Sequence, residues 1–505
     1  MLFKRLLQNG VPHDMTEFSN LFSKFILSKN ISVYSLAKYC NLDRSTIYKI
    51  RKGERNPSSP ELVEKFSEFL HLTPQEHQCL MEAYEITLVG TDTYYRRKSI
   101  RDFLMQFPNS FTLRPSGNPD INGLSLGSTA FDTASPCLSL QNQFDINRIL
   151  GKIFSYEINR ENGEISLLLQ PEYPFIFNLL ENMNIPDTVK INHIFCLNNT
   201  DILTSDYKSV HMEYLKMIFP MYIQNLNYQA YCFYDNVQSH FHNMNLFPCL
   251  ILTSEYALAV SSDFQSGIFY KEPGVVSQLH EFFQNTMANC LPLFHVLKLS
   301  AEKLDTLFDV TLSTQNAEKN YLLQPEACFT PFISDEIVNH ALLPELSDRD
   351  QFFKVIKDYF ASISRIIIDQ PTLVFFTKNG IDRFIETGCL REIPDGFARP
   401  FLPEERIQML EAFLPYCRNG VYHMLKAPLD QFPVNLHLCI NDQLGFLTFE
   451  NAAGETLYFI INEPGFLMLF IDYMESLEAK KDSCLFSPEE TEKFIQSKID
   501  LLNKK

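Results

Sequence analysis

Basic and hydroxyl-bearing side chains cluster near the amino end of the chain. Between positions 38 and 55 they outnumber the acidic residues Asp43 and Glu54. The basic residues of this stretch are Lys38, Arg44, Lys49, Arg51, Lys52 and Arg55. Arginine presents a planar fork of donors that matches paired acceptors, whereas lysine presents a compact positive charge. Together these residue types can bind a polyanion and also distinguish among its polar groups.

Two short helices around a tight turn are predicted to position this cluster. Leu36, Ala37 and Cys40 share one face of the first helix. Ile47 and Ile50 share one face of the second, so the two helices can pack crosswise, with Ala37 allowing a close approach. The residues left facing outward are Arg44, Ser45, Tyr48, Lys49 and Lys52.

Capping signals extend this pair to a predicted module of five helices. Asp43 is a suitable N-cap for the basic helix, and Gly53 lies where a left-handed C-cap is needed. Ser59 and Pro60 are typical of the start of a helix. The segment 73–76, Thr-Pro-Gln-Glu, is a capping box that opens a last helix ending near residue 84. An apolar stripe marks the helix before the motif, at Phe18, Leu21, Phe22 and Phe25.

Residues 15–86 resemble the Cro and phage-repressor class of helix-turn-helix domains, the xenobiotic-response-element family of regulators. The family pattern has a Leu-Ala pair, a small or polar turn, a Ser-Thr-Ile core, a basic stretch closed by Gly, and a following Pro. It stands here as Leu36-Ala37, Asn41-Leu42-Asp43, Ser45-Thr46-Ile47, Lys49 to Gly53 and Pro57. Val33 and Arg51 depart from it, since the family often has Gln and Glu at these positions. The resemblance covers about a sixth of the chain and implies a domain that binds double-stranded DNA.

The resemblance also implies contacts for individual residues. Base edges would be reached by Arg44, Ser45, Tyr48 and Lys49, and phosphates by Lys52, Arg55 and Ser58. A good bidentate pair between arginine and guanine contributes roughly 1–3 kcal/mol of discrimination. Two alternatives stay open, because a charged helix face is usually just solvated and Tyr48 could pack on the surface of its own domain.

The distribution of charge separates the amino end from the rest of the chain. The net charge is −18, yet residues 1–100 hold 14 basic and 11 acidic residues, a balance of +3, which leaves −21 for residues 101–505. An acidic body repels DNA, so only the N-terminal module is expected to touch it.

The chain of 505 residues exceeds what one hydrophobic core normally holds. We predict a multidomain protein in which an all-α helix-turn-helix domain precedes a large α/β body with mixed sheets. The predicted divisions are residues 1–90 for the DNA-binding domain, 91–145 for a connecting helix and linker, 146–300 for a first sensor lobe and 301–505 for a second.

Short repeated words suggest that the body is a duplication. Leu-Leu-Gln-Pro-Glu occurs at 168–172 and again at 322–326, and Glu-Pro-Gly occurs at 272–274 and at 463–465. Two homologous lobes would form a cleft suited to a ligand. Each Glu-Pro-Gly is interpreted first as a helix start, and secondly as a source of backbone donors for an anion.

Other patterns argue against catalysis, metal binding and export. The sequence lacks GxxxxGK[ST], GxGxxG, HExxH and HxKxxxxD motifs, and its one GxSxG word, at residues 123–127, falls in the predicted linker rather than between a strand and a helix, so we expect no enzyme and no cofactor. The pair His240 and His242 is interpreted as a surface or core feature rather than a metal site. No signal peptide or apolar run of ~20 residues is evident, and the 12 cysteines form no CxxC pair, so a cytoplasmic protein is expected.

The combined prediction is a cytoplasmic transcription regulator. We expect it to bind a DNA operator as a homodimer, without membrane contact, and to sense a small-molecule or peptide effector through its body. One alternative is an enzyme of unrecognised type that carries a DNA-binding head. Another is a peptide-pheromone receptor regulator, although that class resembles arrays of helical repeats and the predicted strands count against it.

Overall fold

The computed structural model describes residues 15–107, 135–298 and 317–504, apart from short gaps at 184, 225–226, 244, 347–348, 391–392, 394–396, 434 and 451–455. Backbone contacts divide it into two units. The N-terminal unit extends to Lys98 and includes the segment Leu203–Ser209. The body comprises Ser99–Ile202 and the chain from Val210 onward.

The N-terminal unit is helical, as the apolar stripes predict. Its helices are α1 (Glu17–Ser28), α2 (Val33–Tyr39), α3 (Arg44–Lys52), α4 (Pro60–Phe69) and α5 (Pro74–Val89), and α6 (Thr91–Gln106) continues from it into the body. Phe22 and Phe66 meet at the centre with ring centroids 4.7 Å apart. Helix α5 runs past the predicted end near residue 84 and stops at Gly90, whose φ of 86° suits glycine.

Local capping accounts for where these helices begin and end. The backbone N–H of Thr46 donates to the Asp43 carboxylate at 2.7 Å, so Asp43 caps α3 as predicted. Gly53 closes α3 in the left-handed region with φ of 80°. Thr73 and Glu76 form both bonds of the capping box of α5. Ser59 occupies the N-cap position of α4, but its side chain makes no capping bond.

The first sheet of the body has eight strands in the order β1-β7-β6-β5-β2-β3-β4-β8. Its strands are β1 (Cys137–Leu140), β2 (Glu164–Leu168), β3 (Lys190–Leu197), β4 (Tyr228–Tyr234), β5 (Cys249–Leu252), β6 (Ala257–Val260), β7 (Gly267–Tyr270) and β8 (Leu291–Pro292). Strands β2, β3 and β4 are parallel, while β5, β6 and β7 form an antiparallel meander that joins at β2. The sheet is therefore mixed, as predicted.

The second sheet has seven strands in the order β12-β11-β10-β13-β14-β15-β9. Its strands are β9 (Phe294–Lys298), β10 (Asn320–Leu323), β11 (Thr372–Phe376), β12 (Tyr422–Met424), β13 (His437–Ile440), β14 (Gly445–Glu450) and β15 (Thr456–Ile461). Strands β10, β11 and β12 are parallel, and β13, β14 and β15 form the antiparallel part. Strand β9 precedes residue 301 in the chain but pairs with β15.

The two sheets share one topology. From β2 to β7 the order and strand directions match those from β10 to β15, and an antiparallel edge strand, β1 or β9, completes each set. The word Leu-Leu-Gln-Pro-Glu spans the end of the central strand, β2 or β10, in each lobe. The two lobes therefore repeat one arrangement of strands.

Helices cover the sheets. In the first lobe they are α7 (Gln143–Glu157), α8 (Pro174–Asn182), α9 (Val210–Gln224) and α10 (Pro273–Met287), with a π-helix at Gln238–Asn243. In the second they are α11 (Asp335–Ala341), α12 (Arg349–Ser364), α13 (Lys378–Thr387), α14 (Pro403–Arg418), α15 (Pro464–Ala479), α16 (Lys481–Cys484) and α17 (Pro488–Leu502), with a π-helix at Arg365–Asp369 and 3-10 turns at Thr330–Phe332 and Leu429–Gln431.

The lobes meet through a shared hydrophobic core. Phe375 of β11 belongs to the core that also contains the first sheet, whereas Val374 and Phe376 belong to a second core on the opposite face. Phe219 of α9 packs on Phe459 of β15 with ring centroids 4.7 Å apart. Where the described parts of the lobes touch, apolar side chains thus fill the place in which the sequence predicts a ligand cleft.

The predicted domain divisions at 90, 145 and 300 stay predictions. Helix α6 occupies the segment expected to connect the domains, and most of the predicted linker, 108–134, lies outside the described residues. No described helix is long and apolar enough to cross a lipid bilayer.

Candidate nucleic-acid interface

The buried face of the α2–α3 pair holds the cationic helix in place. Leu36 and Ala37 of α2 and Ile47 and Ile50 of α3 are each at most 2% exposed. The turn between the helices passes through Asn41 with φ of 55°, a conformation that asparagine tolerates better than most residues. The predicted apolar underside of the motif is therefore present, and it leaves the opposite face of α3 to solvent.

The four predicted base-contact residues lie together on that exposed face. Arg44, Ser45, Tyr48 and Lys49 are all exposed, whereas Thr46 between them is buried. Tyr48 retains 47% of its surface, so it does not pack into its own domain. The face combines two cationic groups, a hydroxyl and an aromatic ring, a set that can contact both base edges and the DNA backbone.

Tyr34 is part of this surface, although sequence reasoning missed it. It is 53% exposed near the start of α2, and the guanidinium carbon of Arg44 lies 4.3 Å from the centroid of its ring. This is a cation–π contact. The available signal was an exposed aromatic residue at the start of one helix and an arginine at the start of the next.

The three predicted phosphate-contact residues follow α3. Lys52, Arg55 and Ser58 are exposed. The ammonium of Lys52 lies 3.7 Å from the Glu54 carboxylate, and both side chains are more than half exposed. Such a pair is weak in water, so a phosphate could compete for the lysine.

The Asp43 carboxylate at the start of α3 is held in its charged form. Hydrogen bonds from the backbone and hydroxyl of Thr46, and then from Ser45, keep the pKa of Asp43 below its usual value. The charge lies at the positive end of the helix, where an anion is stabilised. Because it serves as a cap, it fixes the orientation of Arg44 and Ser45, the first two residues of the helix.

Residues 24–77 match the helix-turn-helix family. The N-terminal unit contains a Cro-like helix-turn-helix domain. Helix α3 of the domain is its second motif helix, which in this class enters the major groove of DNA. The chain has no match among curated proteins.

Several solved structures are distantly similar to the chain. One is TrmBL2, an archaeal chromatin protein with a novel mode of DNA binding, at 15% identity and a TM-score of 0.20, over 41% of this chain and 60% of that one. Another is phosphatidylserine synthase from Haemophilus influenzae Rd KW20, at 9% identity and 0.23, over 74% and 93%. A third is polyphosphate kinase from Porphyromonas gingivalis, at 10% identity and 0.19, over 72% and 55%. Backbone agreement this low does not establish a common fold.

In the body, both Glu-Pro-Gly triplets start helices. Glu272 accepts a bond from Val275 N–H at 2.7 Å at the start of α10. Glu463 accepts bonds from Gly465 and Phe466 N–H at 3.0 and 2.8 Å at the start of α15, and a bond from the Tyr234 hydroxyl at 2.6 Å. Because the carboxylates occupy these donors, the capping interpretation holds and the anion-donor alternative loses its basis.

The histidine pair of the first lobe has acidic neighbours. Nδ1 of His240 lies 3.5 Å from Asp235, and Nε2 of His242 lies 4.0 Å from Glu172. Within the described ranges, no group of three or more histidine, cysteine, aspartate or glutamate side chains could hold a metal ion.

An apolar pocket lies in the second lobe, between α12 with its following π-helix and one face of the sheet. The residues that line it include Leu322, Tyr359, Ile363, His437 and Phe446. Its volume of about 20 Å³ has room for about one water molecule, so the pocket as it stands is too small for an organic ligand.

Proposed function

We propose that this protein is a sequence-specific, DNA-binding transcription regulator whose body senses an effector. The observation that carries the proposal is the exposed face of α3, where Arg44 and Lys49 project from a helix anchored by buried Ile47 and Ile50. A cationic helix face with an apolar underside, in a Cro-like domain, is suited to the major groove.

Base and phosphate contacts divide the exposed residues into two groups. Arg44, Ser45, Tyr48 and Lys49 contact base edges, with Arg44 suited to the paired acceptors of guanine. Lys52, Arg55 and Ser58 contact phosphates and position the domain without reading sequence.

The proposed regulator acts as a homodimer in the cytoplasm. One such domain buries little surface on DNA, whereas a twofold pair doubles the contacts and spans half-sites about 34–36 Å apart. The acidic body, with a net charge of −21 over residues 101–505, keeps the rest of the chain away from the phosphates.

The sensing role is assigned to the body, with no catalytic step. The apolar pocket beside Tyr359 and His437 has room for about one water molecule, so a small effector could bind there only if α12 moved outward. Such a ligand changes operator affinity only if its own affinity differs between two conformations of the protein. Two mixed sheets also distinguish the body from the helical repeats of peptide-pheromone receptors.

Selection of bound duplexes from a random DNA library tests the DNA-binding function. The full-length protein should enrich a two-part motif with half-sites one helical turn apart, and light scattering of the complex should show two protein chains. A selection that enriches no motif at low ionic strength would overturn the regulator proposal. A single half-site bound by one chain would overturn the homodimer.

A further inference from the structure

Three lysine side chains gather around two phenyl rings in the second lobe. The ammonium of Lys378 lies 3.9 Å from the ring centroid of Phe486 and 5.6 Å from that of Phe494. The ammonium of Lys426 lies 5.7 Å from the Phe486 centroid, and that of Lys498 lies 4.7 Å from the Phe494 centroid. We call this group the lysine cluster.

The tertiary fold brings the cluster together from three regions of sequence. Lys378 is the first residue of α13, directly after β11, and Lys426 follows the end of β12. Phe486 leads into α17, which carries Phe494 and Lys498. The cluster therefore lies beyond the carboxyl ends of two parallel strands, the edge at which open α/β sheets commonly bind ligands.

The environment of Lys378 is unfavourable for a cation that has no anion beside it. Among the described residues, its ammonium contacts the two phenyl rings, and no carboxylate lies at ion-pair distance from it. It also occupies the first turn of α13, where the helix dipole favours negative charge. Lys498, in contrast, pairs with Asp382 at 2.6 Å. A half-buried ammonium held between rings at the positive end of a helix is poised to meet an anion.

The composition of the body makes this cluster unusual. Residues 101–505 carry a net charge of −21, so a group of three lysines is unusual in this acidic part of the chain. The lysine side chains are partly buried rather than extended into solvent. Burial lowers the local dielectric and strengthens any charge-assisted bond that an ammonium makes.

We propose that the lysine cluster binds a small phosphate-bearing ligand. Ammonium groups supply point charges and several donors, which suit the oxygens of a multiply charged phosphate better than a single carboxylate. Phe486 and Phe494 exclude water from one side of the ligand. In the proposed regulator, this site is where the body binds its effector. Any effect of the ligand on DNA binding therefore rests on the proposed function, whereas binding of the ligand itself does not.

Calorimetric titration of the full-length protein with inorganic pyrophosphate, at ionic strength held constant with sodium chloride, tests the site. The wild-type protein should bind one pyrophosphate per chain, and Lys378→Gln should weaken binding at least tenfold. Lys354→Gln is the matched control, because Lys354 is an exposed lysine of α12. It should bind like the wild type.

A second variant guards against an effect on folding. Lys426→Gln should also weaken binding, while its thermal unfolding matches that of the control. Absence of binding to the wild type, or equal affinity in Lys378→Gln and Lys354→Gln, would overturn the site. Operator affinity is measured in parallel. If the protein bound pyrophosphate but no DNA, the regulator function would be wrong and the lysine cluster would still be a binding site. If it bound DNA but no pyrophosphate, the proposed site would be wrong and the regulator function would stand.

Discussion

The guanidinium of Arg44 lies over the ring of Tyr34, with its central carbon 4.3 Å from the ring centroid. The contact joins the start of α3 to the start of α2, and both side chains are exposed. The contact is a cation–π attraction without a hydrogen bond, so it does not occupy the N–H donors of the guanidinium. Tyr34 therefore restricts the directions in which Arg44 can present its fork to a base.

Removal of the Tyr34 ring should weaken operator binding. A cation–π contact at an exposed site contributes about 0.5–1 kcal/mol, so Tyr34→Ala should raise the dissociation constant roughly twofold to fivefold. Tyr34→Phe is the matched control and should bind like the wild type, because stacking needs the ring and not the hydroxyl. Fluorescence anisotropy with the selected operator measures the effect, and equal losses in both variants would assign the role to the hydroxyl instead.

Substitutions of base-contact and phosphate-contact residues should change DNA binding in different ways. Arg44→Ala or Lys49→Ala should cost roughly 1–3 kcal/mol on the preferred operator and reduce the preference for it over random DNA. Competition between operator and random duplexes measures that preference.

Lys52→Ala should instead weaken binding to all duplexes alike and reduce the slope of log affinity against log salt by about one. Lys65→Ala, which removes an exposed charge from α4, serves as the control and should change neither property. If Lys49→Ala and Lys52→Ala gave the same pattern, the division into base and phosphate contacts would be wrong.

The Asp43 cap should make the stability of the helix-turn-helix domain depend on pH. Hydrogen bonds lower the pKa of Asp43 in the folded state, so its contribution is fully present above the unfolded pKa of about 3.9 and is lost as the pH falls through the lower, folded value. Asp43→Ala should lower the melting temperature at pH 7, and the difference from wild type should shrink at strongly acidic pH. Asp43→Asn, which can also cap, should melt near the wild-type temperature.

His193 should make the body less stable as the pH falls below neutrality. The side chain is fully buried, its Nε2–H donates to the Leu169 carbonyl at 3.0 Å, and the Tyr228 hydroxyl donates to its Nδ1 at 2.7 Å. Burial lowers the pKa of His193 to about 4. Since the unfolded pKa is about 6.5, stability is complete above that value and declines between it and about 4.

Urea unfolding of the body at a series of pH values measures this decline. His193→Gln should be less stable than wild type at pH 7, because the buried space around the imidazole is well packed. In this variant the free energy of unfolding should fall less steeply as the pH is lowered, since the histidine no longer titrates. A variant with an unchanged slope would show that another group causes the pH dependence.

Local patterns in the sequence determined much of the secondary structure. The α2–α3 pair and its caps at Asp43 and Gly53 follow from periodicity and capping over a few residues. The apolar pattern also predicts a helix at 349–364, which are the observed bounds of α12. In the first lobe, short apolar runs predict strands at 165–169, 191–197, 228–233, 250–253, 257–260 and 267–270, each within one residue of the observed ends of β2 to β7. None of the four edge strands, β1, β8, β9 and β12, is predicted, because a short strand at a sheet edge is stabilised by a partner far away in sequence.

Long-range placement was decided by the tertiary structure. The sequence by itself determined that Arg44 lies on a cationic helix with an apolar underside, since helical spacing alone separates the two faces. Only the folded chain brings Tyr34 beside Arg44, or gathers Lys378, Lys426 and Lys498 around two phenyl rings. The reason is that the spacing of apolar residues shows on which face of a helix or strand a residue lies. Contacts between two elements depend instead on how their faces pack against each other.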